Sequence, residues 1–105
     1  MLVQFNSDHH INGSAVLAEE SETSVRGALG GFAEQITRVE IHVSDENGAE
    51  KVGVNDKSCR IEARISGRPP IAVHAIASTV AKSVDHAADK LRHAVETIVG
   101  RAGHR

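Results

Sequence analysis

Two stretches of seven residues alternate apolar and polar side chains without a break, and they constrain the fold more than anything else in the chain. In the first, Val39, Ile41 and Val43 alternate with Arg38, Glu40, His42 and Ser44; in the second, Cys59, Ile61, Ala63 and Ile65 alternate with Arg60, Glu62 and Arg64. A period of two over that length marks strands with one face buried and one face wet. The third strong pattern is helical. Val80, Val84, Ala87, Ala88, Leu91, Val95 and Ile98 recur at steps of three and four, with Lys82, Asp85, His86, Asp89, Lys90, Arg92, His93 and Glu96 on the opposite face.

The remaining elements fit around these three. Residues 2–6 read as a short strand with Val3 and Phe5 inward. Asn12-Gly13-Ser14 supplies a turn and an N-cap for a helix from about Ser14 to Leu29, striped by Leu17, Ser21, Val25, Ala28 and Leu29 and closed by Gly30-Gly31. Glu19, Glu20 and Glu22 lie early in it, where acids suit the helix dipole. Residues 44–56, with Asn47-Gly48, predict a mobile loop, and Gly67-Arg68-Pro69-Pro70 predicts a turn. Ile71 to Ile76 reads as a fourth strand with Ile71 and Val73 inward. Ser78 is the expected N-cap of the last helix, which Gly100 ends, and residues 101–105 are an expected frayed tail. The fold class is α+β: a single domain over residues 1–105, of order β-α-β-β-β-α. Its sheet is four-stranded and mixed, with two helices packed on one face. The first two strands are expected to be parallel, and the last three to form a meander.

With no Trp, no Tyr and two Phe in 105 residues, the core must be built from Val, Ile, Leu and Ala. A thin core gives modest stability, so a homodimer or another partner is an open expectation. The single Cys59 forms no internal disulfide and has no zinc-site spacing around it. No apolar run approaches a membrane span and no secretory leader is visible, so the chain reads as cytoplasmic, with no membrane partner.

Nothing nominates an enzyme. No nucleophile elbow or phosphate-cradling glycine loop is present, no catalytic residues stand out, and no cofactor or small-molecule substrate is expected. The acidic stretch at residues 45–50 lacks the residue order of a calcium loop. Seven histidines raise a metal site, but His9-His10 diverge on a strand, and His86 and His93 lie about 10 Å apart along a helix. Only a pairing brought about by the fold, such as His42 with His74 across the sheet, could make a site. Solvated histidines are the preferred reading, with no metal.

Charge is distributed unevenly. Residues 1–50 carry nine acids against Arg26 and Arg38, whereas residues 51–105 carry ten bases against Asp56, Glu62, Asp85, Asp89 and Glu96. The candidate RNA-binding residues are Arg60, Arg64 and Arg68, along the third strand and its turn, and Lys82, Lys90 and Arg92 on the last helix. Arginine forks and lysine ammonium groups neutralise phosphates. The competing structural reading is cross-strand ion pairing, with Arg38 and Arg60 facing Glu40 and Glu62. Aromatics for stacking bases are missing from both exposed faces.

The order of elements, the Asp8-His9-His10-Ile11 segment, the run from Gly31 to Val43 and the closing Val84-Asp85-His86-Ala87-Ala88-Asp89-Lys90-Leu91-Arg92 resemble the ribosome hibernation-promoting factor family, also called ribosome-associated translation inhibitors. Ser44-Asp45-Glu46-Asn47-Gly48 and Asp56-Lys57-Ser58-Cys59 resemble a short subgroup of it. The resemblance implies a bacterial stress or stationary-phase factor that binds the small ribosomal subunit and its rRNA and inhibits translation, here as a short form. It implies bases on both helices, for which Lys90 is the best match; the first helix is acidic instead. The alternative is a diverged protein–protein interaction module of the same fold, working through its open sheet face or an edge strand.

Overall fold

The computed structural model describes residues 1–8, 15–45 and 57–100. The expected turn at 12–14, most of the expected loop and the tail at 101–105 lie outside the described residues. The elements are β1 (Leu2–Ser7), α1 (Ala15–Leu29), a 3-10 turn (Gly30–Phe32), β2 (Ile36–Asp45), β3 (Lys57–Ile65), β4 (Ile71–Ala77) and α2 (Val80–Val95), followed by a single π turn (Glu96–Gly100). The strands form one sheet in the order β1-β2-β3-β4, with β1 parallel to β2 and the other pairs antiparallel, as the pattern predicts.

Alternation decides which way each strand faces. Val39, Ile41, Val43, Cys59, Ile61, Ala63, Ile65, Ala75 and Ala77 are buried on the inner face, where α1 contributes Ser21, Val25 and Leu29 and α2 contributes Val84, Ala87, Ala88, Leu91 and Val95. The helices pack side by side on this face, and the Ser24 hydroxyl donates to Asp85 Oδ1 at 3.0 Å between them. The buried core contains no aromatic side chain, and Phe5 and Phe32 pack only at its margin.

The structure departs from the sequence expectations at five places. Strand β2 begins at Ile36, and an irregularity between Ile36 and Arg38 lets both Ile36 and Val39 face inward. This is a bulge at Thr37, whose hydroxyl donates to the Arg64 carbonyl at 3.2 Å. Strand β2 also runs on to Asp45, paired with Lys57, so Ser44 and Asp45 belong to the ladder and not to the loop. The N-cap of α2 is Thr79, not Ser78: Thr79 is extended and its Oγ1 accepts the Lys82 N–H at 3.1 Å. The α-helix stops at Val95, short of Gly100. Finally, no acid lies in the first turn of α1, because Glu19 falls one turn too late to meet the dipole there. The β3–β4 turn uses Gly67 at φ 74°, which glycine adopts without penalty, and the Arg68 N–H closes it on the Ile65 carbonyl at 3.1 Å.

Candidate nucleic-acid interface

Among the described residues, the second face of the sheet carries no helix. Register places its side chains in transverse rows: Leu2, Arg38 and Arg64; then Gln4, Glu40, Glu62 and Ala72; then Asn6, His42, Arg60 and His74; then Ser44, Ser58 and Ile76. Like charges therefore stand directly opposite one another, arginine across from arginine and glutamate across from glutamate. The expected cross-strand ion pairs do not form. Compensation runs along each strand instead: Arg38 Nε donates to Glu40 at 2.8 Å, His42 Nε2 lies 3.4 Å from Glu40, and Arg60 lies 3.9 Å from Glu62. Arg38 also donates to the Gln4 amide oxygen. The Arg38 hydrogen bond lowers the Glu40 pKa, and His42 acts in the same direction. Like charges directly opposite on a sheet are unfavourable, so the charges of the wet face do not themselves favour this register.

The six candidate cations differ in how far they are already used. Among the described residues, Arg64, Arg68 and Lys82 have no carboxylate within ion-pair distance, and all three are exposed. Arg60 is exposed and only loosely held by Glu62. Lys90 donates its ammonium to the His74 carbonyl at 2.7 Å, capping the free edge of β4. Arg92 is gripped by Asp89 at 3.1 Å and Glu96 at 2.8 Å, and Asp89 first, then Glu96, raise its pKa. The six do not form one patch. Arg60 and Arg64 lie on the open sheet face and Arg68 in the adjoining turn, whereas Lys82, Lys90 and Arg92 belong to α2 in the opposite layer.

Arg38 joins Arg60 and Arg64 on the open face, as the alternation predicts, and parity along β2 and β4 adds His42 and His74, which the basic residues alone do not reveal. His42 and His74 share a row with β3 between them, and their rings turn to different partners, His42 Nε2 to Glu40 and His74 Nε2 to Ser58. Among the described residues, no group of three His, Cys, Asp or Glu could hold a metal ion. Cys59 is buried and burial pushes its thiol pKa up to about 12, which makes it inert as a nucleophile or ligand. No described helix is long and apolar enough to cross a membrane.

These features define a class: a β-α-β-β-β-α domain with one face covered by helices and a charged, uncovered sheet, built to bind a surface. The chain belongs to the family described as Sigma 54 modulation protein / S30EA ribosomal protein, whose pattern it matches over residues 5–102. That family is ribosome-associated and not enzymatic. The fold is shared with a ribosomal subunit interface protein from Coxiella burnetii (TM-score 0.76, 17% identity, 95% of this chain and 99% of that one). It is shared too with the N-terminal domain of Thermus thermophilus Protein Y (TM-score 0.73, 13% identity, 93% and 99%). No curated protein sequence matches the chain.

Proposed function

We propose that the protein is a ribosome-associated stress or stationary-phase factor that binds the small subunit through rRNA phosphates and inhibits translation. Family membership supports ribosome association. The observation that carries the rRNA contact is the set of exposed cations left without carboxylate partners among the described residues, Arg64, Arg68 and Lys82, with Arg60 only loosely paired. Arg60, Arg64 and Arg68 make one phosphate-binding edge, and Lys82 makes a second on α2. Lys90 and Arg92 contribute less, because each already has protein partners.

Sedimentation of the tagged protein with ribosomes from stationary-phase cells, followed by separation of the subunits, tests the reading. The protein should travel with the small subunit, and the pure protein should inhibit a cell-free translation reaction. With ~4–6 phosphate contacts, log K should fall with log salt at a slope of about -4 to -5. Recovery at the top of the gradient, or with the large subunit alone, would overturn it. One observation favours a second reading, a protein–protein module: Leu2 and Ile76 stand 57% and 48% exposed at the two edges of the open face. An apolar protein interface, possible between two copies of the chain, predicts a flat salt response.

A further inference from the structure

Histidines 42 and 74 lie on either side of Arg60 in a single row across the open sheet, one residue on each of β2, β3 and β4. Among the described residues no element packs over this face, and the groups that meet the row come from the sheet itself and from one lysine at its edge. His42 has Glu40 at 3.4 Å on its own strand and Asn6 beside it on β1. Arg60 has Glu62 at 3.9 Å. The His74 ring meets the Ser58 hydroxyl at 2.7 Å, and its carbonyl accepts from Lys90. Each ring is thus held through Nε2.

The charge of the face depends on these two rings. With both imidazoles neutral, Arg38, Arg60 and Arg64 stand against Glu40 and Glu62, a balance of +1 among the described residues of the face; with both protonated the balance is +3. Imidazole is the ordinary side chain that gains a proton between pH 8 and pH 5. Glu40 does not cancel the gain, because its hydrogen bond to Arg38 holds its carboxyl below the usual range and keeps it ionised. Three cations side by side at the roughly 4.8 Å strand spacing repel one another and are relieved by an anion that bridges them.

We propose that His42, Arg60 and His74 form a phosphodiester-binding row whose affinity for RNA rises as pH falls, making association through the sheet face pH-responsive. This rests on the reading of the protein as an RNA binder and adds two residues and a direction to it. Anisotropy of a fluorescein-labelled RNA hairpin, at fixed ionic strength from pH 8 to 5.5, tests it. An exposed ion pair is worth up to about fivefold, so two imidazolium contacts should raise wild-type affinity by as much as ~30-fold across that range. The double variant His42→Gln/His74→Gln should lose the rise between pH 8 and 5.5. His86→Gln/His93→Gln, on α2, should retain it. Thermal melting at both pH values confirms that each variant is folded. A rise that survives in His42→Gln/His74→Gln, or no rise in the wild type, overturns the row. Co-sedimentation of the wild-type protein with ribosomes at pH 8 reports on the underlying reading separately, because that reading needs no protonated imidazole. Absence of RNA binding at every pH would refute both.

Discussion

Reversing Arg60 and Arg64 to glutamate tests the open face directly, because the proposed phosphate contacts require a large effect on binding and the structure predicts almost none on folding. Among the described residues the only ion pair lost is Arg60 with Glu62, at 3.9 Å and with the arginine 53% exposed, and such a pair is worth under ~1 kcal/mol. Reversing Arg64 works the other way: it stands opposite Arg38, so a carboxylate there converts a like-charge opposition into an attraction of similar size. The two changes nearly cancel, and Tm should move by no more than a few degrees. For binding they add. Losing two phosphate contacts costs about 30-fold, and replacing them by two repulsions extends this towards ~1,000-fold at physiological salt. The salt slope should shallow by about 1.8, the share of two contacts. The assay is ribosome co-sedimentation with a salt titration, beside a thermal melt. As a comparison, Lys90→Ala and Arg92→Ala should each weaken binding less than Arg64→Ala, since those cations are already engaged within the protein. A doubly reversed protein that melts normally and still sediments like the wild type would refute the assignment of phosphate contacts to this face.

Other consequences follow from single groups. Thr79→Ala removes the acceptor for the Lys82 N–H and should cost about 1 kcal/mol, lowering Tm by roughly 4–8 °C, while Thr79→Ser should restore most of it and Ser78→Ala should cost little. Cys59 should resist iodoacetamide at pH 8 in the folded protein and react once denatured. Its raised pKa also sets a sign: the folded state holds the thiol proton more tightly, so stability is intact below the ordinary value of 9.0 and declines as pH rises towards about 12, as urea midpoints across that range would show.

The inner face of this sheet was legible in the sequence and the outer face was not, for a physical reason. Alternation at 39–43 and 59–65 identifies the buried residues whatever strands they pair with, and the helical stripe of α2 follows from steps of three and four. The pairing of charges needs the register. A shift of two residues between β2 and β3 would have set Arg38 opposite Glu62 and kept every apolar side chain inward. The observed register instead sets Ile41 against Ile61, Val39 against Ala63 and Val43 against Cys59, so core packing chooses the alignment and the wet face inherits like-over-like rows. The Thr37 bulge was hidden for a related reason. An extra residue breaks the period of two at Ile36, and only the partner strand reveals it. The choice between Ser78 and Thr79 as N-cap, two adjacent hydroxyl residues, turned on backbone dihedrals that no residue pattern encodes.

Counting basic residues overstates how much charge a protein can offer an RNA, and the two helices show why. Each sends one cation past its own face to the nearest edge of the sheet: Arg26 of α1 donates to the Met1 carbonyl at 3.1 Å, and Lys90 of α2 donates to the His74 carbonyl at 2.7 Å. Edge strands with unpaired backbone groups invite pairing with other chains, and β1 and β4 carry no charged side chain of their own to discourage it. A long flexible cation anchored on a helix can reach over such an edge and satisfy one of its carbonyls. Arg26 and Lys90 therefore serve the sheet, Arg92 serves Asp89 and Glu96, and of the three basic candidates on α2 only Lys82 has neither duty among the described residues. The resemblance points to the helices as the ribosome-facing surface; the balance of engaged and free cations moves the weight to the uncovered sheet and its β3–β4 turn. There Arg38 is held by Glu40 and Gln4 and Arg60 loosely by Glu62, Arg64 and Arg68 have no carboxylate partner among the described residues, and the arginines face a mutual repulsion that a polyanion relieves.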